Sequence, residues 1–172
     1  GDPRVGKTSI ISQLVKGSFN NTYQTTLGID YNTYEIKIKD TFYTVQFHIL
    51  DFTGFSPFRD LLDNQIGDVN FVLYVYDSTS LESFQQIKEW YNQVKEHLLK
   101  KNAVGYLVGN KTEIKEKVAV DTSSSKNMAD NLNLKDWRLS ARTMNNVKEL
   151  FENMANLYFE NYKNFIYKVE KM

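Results

Sequence analysis

Gly1-Asp2-Pro3-Arg4-Val5-Gly6-Lys7-Thr8 opens the chain and fits the pattern G-x-x-x-x-G-K-[ST] in full. Glycines permit a tight loop whose backbone N–H groups turn inward, toward phosphate oxygens, at the N-terminus of the helix that follows. Lys7 offers a point charge to β- and γ-phosphates, and Thr8 offers a hydroxyl to Mg²⁺. A first helix is predicted over Gly6–Lys16. Taken alone, the motif implies a nucleotide and leaves ATP and GTP both open.

Outward from this loop, strand-like and helix-like stretches alternate. Tyr31–Lys39 and Phe42–Leu50 carry a period of two and are separated by Asp40-Thr41, which predicts an antiparallel hairpin. Val45, Phe47 and Ile49 fall on one face of its second strand. Phe71–Tyr76 is a short continuous apolar run, as expected of a strand buried on both faces. Ser80 suits a helix N-cap, and Phe84, Ile87, Tyr91 and Val94 then recur at helical spacing. Val104–Val108 predicts another strand, Ser123–Asn131 a short polar helix, and Trp137–Leu139 a third strand. A long final helix carries Val147, Leu150, Phe151, Met154, Leu157 and Tyr158. The alternation predicts an α/β fold with a mostly parallel sheet.

Composition removes several alternatives. The 172 residues suit one domain, and 21 basic side chains balance 21 acidic ones, which argues against a nucleic-acid partner. The longest apolar run is far shorter than the roughly 20 residues of a membrane span. With no cysteine there is no disulfide framework, thiolate metal site or Cys nucleophile. His48 and His97 lack metal-ligand spacing. A soluble, intracellular protein is expected.

Three further motifs narrow the ligand. Asp51-Phe52-Thr53-Gly54 ends the second hairpin strand. An Asp at a strand tip can hold Mg²⁺ through water, and a following Gly can present its N–H to a γ-phosphate. Thr26, between the first helix and the hairpin, is within reach of the same metal. Asn110-Lys111-Thr112-Glu113 follows a buried strand, where open α/β sheets place their ligand loops. An amide, a lysine stem and a carboxylate there could grip a purine. Leu139-Ser140-Ala141-Arg142 ends the next strand in the equivalent place. Each motif is weak alone; their order is the signal.

With these residues in view, the chain resembles the Ras superfamily of small GTPases over nearly its whole length, and within it the Rab branch. Ser18 to Tyr31, Ser83-Phe84-Gln85-Gln86 with Trp90, Leu107–Thr112 and Asn146–Phe151 look most like the Golgi-associated Rab subgroup, the sixth in that family's numbering. The resemblance implies an α/β P-loop NTPase G-domain over residues 1–172. Its sheet would be six-stranded and mostly parallel, with one antiparallel edge strand and helices on both faces. In that fold the phosphate loop follows a mid-sheet strand. That strand and a lipid-bearing tail are therefore expected to lie outside these 172 residues.

The resemblance also implies GTP or GDP and Mg²⁺ as cofactors. Thr8 and Thr26 would ligate the metal, with Asp51 reaching it through water. Asp2, Arg4, Val5, Gly6, Lys7, Thr8 and Ser9 would line the phosphates, with Tyr23, Thr26 and Gly54 closing over them. Phe19 would lie against the guanine, which Asn110, Lys111 and Glu113 bind and Ser140, Ala141 and Arg142 back. Effectors and regulators would read the two switches, Thr26–Tyr31 and Phe52–Leu62. The implied setting is vesicle traffic, on Golgi or endosomal membranes where a lipidated tail exists.

Several positions depart from the family. Phe55 follows Gly54 where the family has Gln, so no side chain there can orient an attacking water, and no catalytic residue is assigned. Slow hydrolysis is expected. Pro3 fixes φ and removes a donor beside the expected γ-phosphate. Glu113 stands for Asp, Arg142 for Lys, and Leu50 and Gln65 for aromatics that shape the effector surface. Phe52, Phe55 and Phe58 would either form an apolar switch face or pack into the core. Two further function classes remain alongside the switch: an interaction module with weak or permanent nucleotide binding, and a small-molecule kinase. Four arginines are few for a kinase lid.

Overall fold

A computed structural model describes the chain except residues 21, 23, 27, 55–68, 102 and 170–172, together with the side chains of 97–101, 164 and 166–169. Helix α1 (Lys7–Lys16) begins at Gly6, whose φ of 98° is open to glycine and strained for other residues. It ends at Gly17, also left-handed, whose N–H bonds the Gln13 carbonyl at 3.1 Å. Strands β1 (Ile29–Lys37) and β2 (Thr44–Phe52) form the antiparallel hairpin, in register from Ile29 opposite Phe52 to Lys37 opposite Thr44.

The hairpin turn is wider than Asp40-Thr41. Residues 38–43 make the connection: the Ile38 N–H donates to the Tyr43 carbonyl at 2.9 Å, and the Thr41 N–H and hydroxyl both bond the Ile38 carbonyl. Ile38 is buried on the same face as Tyr34 and Ile36, so the period of two runs on past the last paired residue, Lys37, while Asp40 takes a left-handed φ of 57°.

Strand β3 (Phe71–Asp77) leads to α2 (Leu81–Gln85), capped by the Ser80 hydroxyl accepting from the Ser83 N–H. Helix α3 (Ile87–Lys101) follows after a break at Gln86 rather than as one continuous helix. It buries Ile87, Trp90 and Val94, with Tyr91 half-buried. Strand β4 (Val104–Asn110), α4 (Thr122–Asn131, capped by Asp121), β5 (Lys135–Arg138) and α5 (Val147–Val169) complete the order.

Strands β3, β4 and β5 pair in parallel with β4 in the middle. Alternate side chains leave on opposite faces. Val75, Tyr106 and Val108 join a core with Ile10, Leu14, Leu150 and Phe151 of α1 and α5. Tyr74, Tyr76 and Leu107 join a second core with Phe84, Ile87 and Trp90 of α2 and α3. Burial on both faces explains why these strands read as continuous apolar runs. The fold is α/β, as expected.

The sixth, mid-sheet strand was expected outside these 172 residues. Among the described residues, five strands form two sheets, because β2 pairs with β1 and β3 with β4, and no strand joins β2 to β3. A cavity of about 800 Å³ separates them, lined by Phe47 and Ile49 of β2, Leu73 and Val75 of β3, Trp90 and Phe151. Gly1 stands at Val75, so close that a Cβ on it would collide with the Val75 carbonyl.

Strand β4 therefore has partners on both edges. Its amides are expected to be the slowest to exchange with deuterium, ahead of β2 and β3, as read by mass spectrometry of peptic fragments. Equal protection of β2 and β4 would contradict the split sheet.

Candidate functional site

The site grows from three loops that leave the C-terminal ends of strands and one that enters α1. In the phosphate loop, left-handed Arg4 (φ 65°) and Gly6 bend the backbone, and Val5 is buried beneath it. A succession of such turns points N–H groups inward, as a concave anion site requires. Arg4 itself is exposed, while Asp2 and Ser9 are half-buried.

Lys7 sends its Nζ to the carbonyls of Gly1 (2.8 Å) and Asp2 (2.7 Å). Burial lowers its ammonium to about 8, opposed by the carboxylates of Asp51 and Asp2. Asp51 is 3% exposed at the tip of β2, and its carboxyl is raised by burial, opposed by Thr8 and Lys7. Both charges are thus held in surroundings that disfavour them.

Three residues far apart in sequence meet beside this pair. The Thr8 hydroxyl donates to Asp51 Oδ2 at 2.6 Å and lies 3.0 Å from the Thr26 hydroxyl. Asp51 Oδ1 is buried without a hydrogen-bond partner among the described residues. Two hydroxyls and a half-satisfied carboxylate form an all-oxygen set suited to a hard cation such as Mg²⁺. Gly54 packs directly on the loop: a Cβ there would sit 2.4 Å from Pro3 N and 2.7 Å from Lys7 Nζ. Only glycine permits that approach.

The second half of the site is organised by Asn110, at the end of β4 and 2% exposed. Its Nδ2 donates to the Val5 carbonyl at 2.9 Å, and its Oδ1 accepts from Lys111 N (2.8 Å) and Ala141 N (3.0 Å). A Cβ on Gly6 would collide with this amide. Ser140 is buried and its hydroxyl accepts from the Thr143 N–H, holding the turn that presents Ala141, while Arg142 is exposed. Glu113 Oε2 is buried with no partner among the described residues. A buried carboxylate oxygen without a described partner, three residues beyond a fixed amide, suits the N–H groups on a guanine edge.

Phe19 is half-buried and packed against the α1–α5 core. Phe52 packs against the α2–α3 core, which favours the packing alternative for that residue. Tyr31 is exposed and its hydroxyl pairs with the His48 ring. Tyr23, Phe55, Phe58 and Gln65 lie outside the described residues.

Asp77 escaped the sequence reading. It ends β3 as Asp51 ends β2, and its carboxylate takes the Lys111 ammonium at 2.5 Å and the Thr79 hydroxyl at 2.7 Å. Burial pushes the Asp77 carboxyl up, but the bonds from Lys111 and Thr79 outweigh it and hold it below the usual range. The signal was available: a second acidic residue at a parallel-strand tip.

This fold and this site define a P-loop nucleotide-binding α/β protein, with a magnesium-type oxygen set at one end and a purine-type amide and carboxylate at the other. Residues 1–160 match the model of the Ras family. The chain belongs to that family and is a small GTPase.

The network around Asn110 gives a test that needs no ligand. Asn110→Ala leaves the Val5 carbonyl and the Ala141 N–H without their partners, and should lower unfolding stability by about 3 kcal/mol in urea titration. A loss below about 0.5 kcal/mol would show that the three loops hold their places without it.

Proposed function

We propose that this small GTPase is a Rab-type Mg·GTP/GDP switch of vesicle traffic, with slow intrinsic hydrolysis. The observation that carries the switch reading is the convergence of Thr8, Thr26 and Asp51. These come from the phosphate loop and from the two segments expected to report on the γ-phosphate. Thr8 and Thr26 would ligate Mg²⁺ and Asp51 would bind it through water. Lys7 and the loop amides would hold phosphate, as would Gly54. Asn110, Lys111 and Glu113 would bind guanine, backed by Ser140, Ala141 and Arg142, with Phe19 along its face. Held by Thr8 and Thr26, Mg²⁺ would supply charge neutralisation to the phosphates. Ordering of Thr26–Tyr31 and Phe52–Leu62 would then be read by effectors and regulators. The Rab and Golgi assignment rests on the stretches Ser18–Tyr31, Ser83–Gln86 and Asn146–Phe151, and membrane attachment on a lipidated tail.

Phe55 carries the kinetic part. A phenyl ring offers neither donor nor acceptor to a water, while the charges of Lys7 and the metal persist, so binding should outlast turnover. Nucleotide released from purified protein should be GTP by mass spectrometry. Phe55→Gln should accelerate single-turnover hydrolysis about tenfold or more. Rapid hydrolysis by the parent chain would refute this.

The departures at Pro3, Phe55 and Glu113 favour a second reading, an interaction module that binds nucleotide weakly. Glu113 bears on the same point, since its carboxylate stands one methylene further out than Asp. A charged hydrogen bond contributes roughly 1.5–3 kcal/mol. Glu113→Asp should therefore tighten GDP by about tenfold in isothermal titration. Unchanged affinity would remove Glu113 as the cause, and no nucleotide at all in the purified protein would favour the module.

A further inference from the structure

Trp90 sits one helix away from the phosphate loop, yet it bonds to it. Its indole Nε1–H donates to Asp2 Oδ1 at 2.7 Å, across 88 residues of sequence. The ring is 4% exposed and packed in the α2–α3 core with Tyr74, Phe84 and Ile87, so the donor is fixed in place. Asp2 also supplies, through its backbone carbonyl, one of the two oxygens that hold Lys7 Nζ. One residue therefore joins the core of α3 to the lysine that faces phosphate.

A carboxylate in a phosphate-binding loop is an electrostatic liability. It repels the incoming anion and competes with it for Lys7, toward which Asp2 already exerts an attraction. A hydrogen bond from a buried, immobile indole holds one carboxylate oxygen on α3, away from the loop's inner face.

We propose that Trp90 is a positioning residue for phosphate binding, acting by tethering the Asp2 carboxylate so that it does not close on Lys7. This rests on the nucleotide-binding reading above and adds to it a constraint from outside the loop motif. It requires Trp90 for its N–H rather than for its bulk. The consequence is specific: loss of the indole donor should harm binding only while Asp2 keeps its charge.

Trp90→Phe retains an aromatic ring and removes the donor. The Kd for Mg·GDP, from isothermal titration, should rise about tenfold, the scale of one hydrogen bond to a charged group. Trp90→Phe combined with Asp2→Asn should return to within about threefold of the parent chain, because the freed side chain no longer competes for Lys7. A purely packing role for Trp90 predicts a loss that Asp2→Asn does not repair, and that result overturns the proposal, as does an unchanged Kd in Trp90→Phe. Should Trp90→Phe fail to fold, the indole ¹⁵N–H resonance of Trp90 in the Trp137→Phe protein serves instead. It should move on addition of inorganic phosphate and on Asp2→Asn, and an unmoved resonance refutes the tether. Absence of GDP binding by the parent chain refutes the nucleotide reading and with it this inference. Binding by the parent with no difference among variants refutes the inference alone.

Discussion

The buried amide of Asn110 is the constraint on which the rest of the site depends. It is one side chain with a donor and an acceptor, and both are used on backbone from other loops: Val5 on the phosphate loop and Ala141 beyond β5. Its position is set by β4, the strand with partners on both edges and the most thoroughly buried. Rigidity thus passes from the sheet into three loops that have no regular structure of their own. Glycine at position 6 follows from the same contact, since any Cβ there would strike the amide. The glycine serves packing as well as backbone conformation.

At the opposite end the site is held less comfortably. Lys7 and Asp51 are charged groups in a poorly solvated place, one pulled down and the other pushed up by burial. Each attracts the other, but Lys7 spends its hydrogen bonds on two carbonyls and Asp51 leaves one oxygen without a partner among the described residues. Buried charges of this kind are costly unless paired. A polyanion with a divalent cation supplies what each lacks: negative charge beside Lys7 and positive charge beside Asp51. The discomfort is thus informative about the ligand, since groups at odds with their surroundings gather at functional sites.

Much of this was legible in the sequence. The buried strands at Phe71 and Val104 announced themselves by continuous apolar runs, and Ser80 marked its helix start correctly. Motif order singled out Thr8, Thr26, Asp51 and Asn110; the structure brings the first three together and sets Asn110 against the phosphate loop. The hairpin connection was misplaced by two residues on each side, because Ile38 keeps the two-residue period and carries the strand pattern past the last paired residue, Lys37. Trp90 and Asp77 were missed as participants. Their partners lie 88 and 34 residues away, and long-range pairing leaves no periodic trace in a chain.

The two ends of the site stand on different elements. Asp51 lies on β2 of the hairpin and Thr26 precedes β1, whereas Asn110 ends β4 and Ala141 follows β5, and the phosphate-loop segment bonds to both groups. Helices α1 and α5 pack on the hairpin through Ile10, Phe47 and Phe151 and the Tyr43–Phe159 ring contact. Asp51 is held in the β1–β2 ladder opposite Asp30, and Asn110 in the β3–β4 ladder opposite Asp77. Thr26 lies before β1, outside both ladders, and meets Thr8 through a hydroxyl contact of 3.0 Å. A residue held in this way is displaced more readily than one inside a ladder.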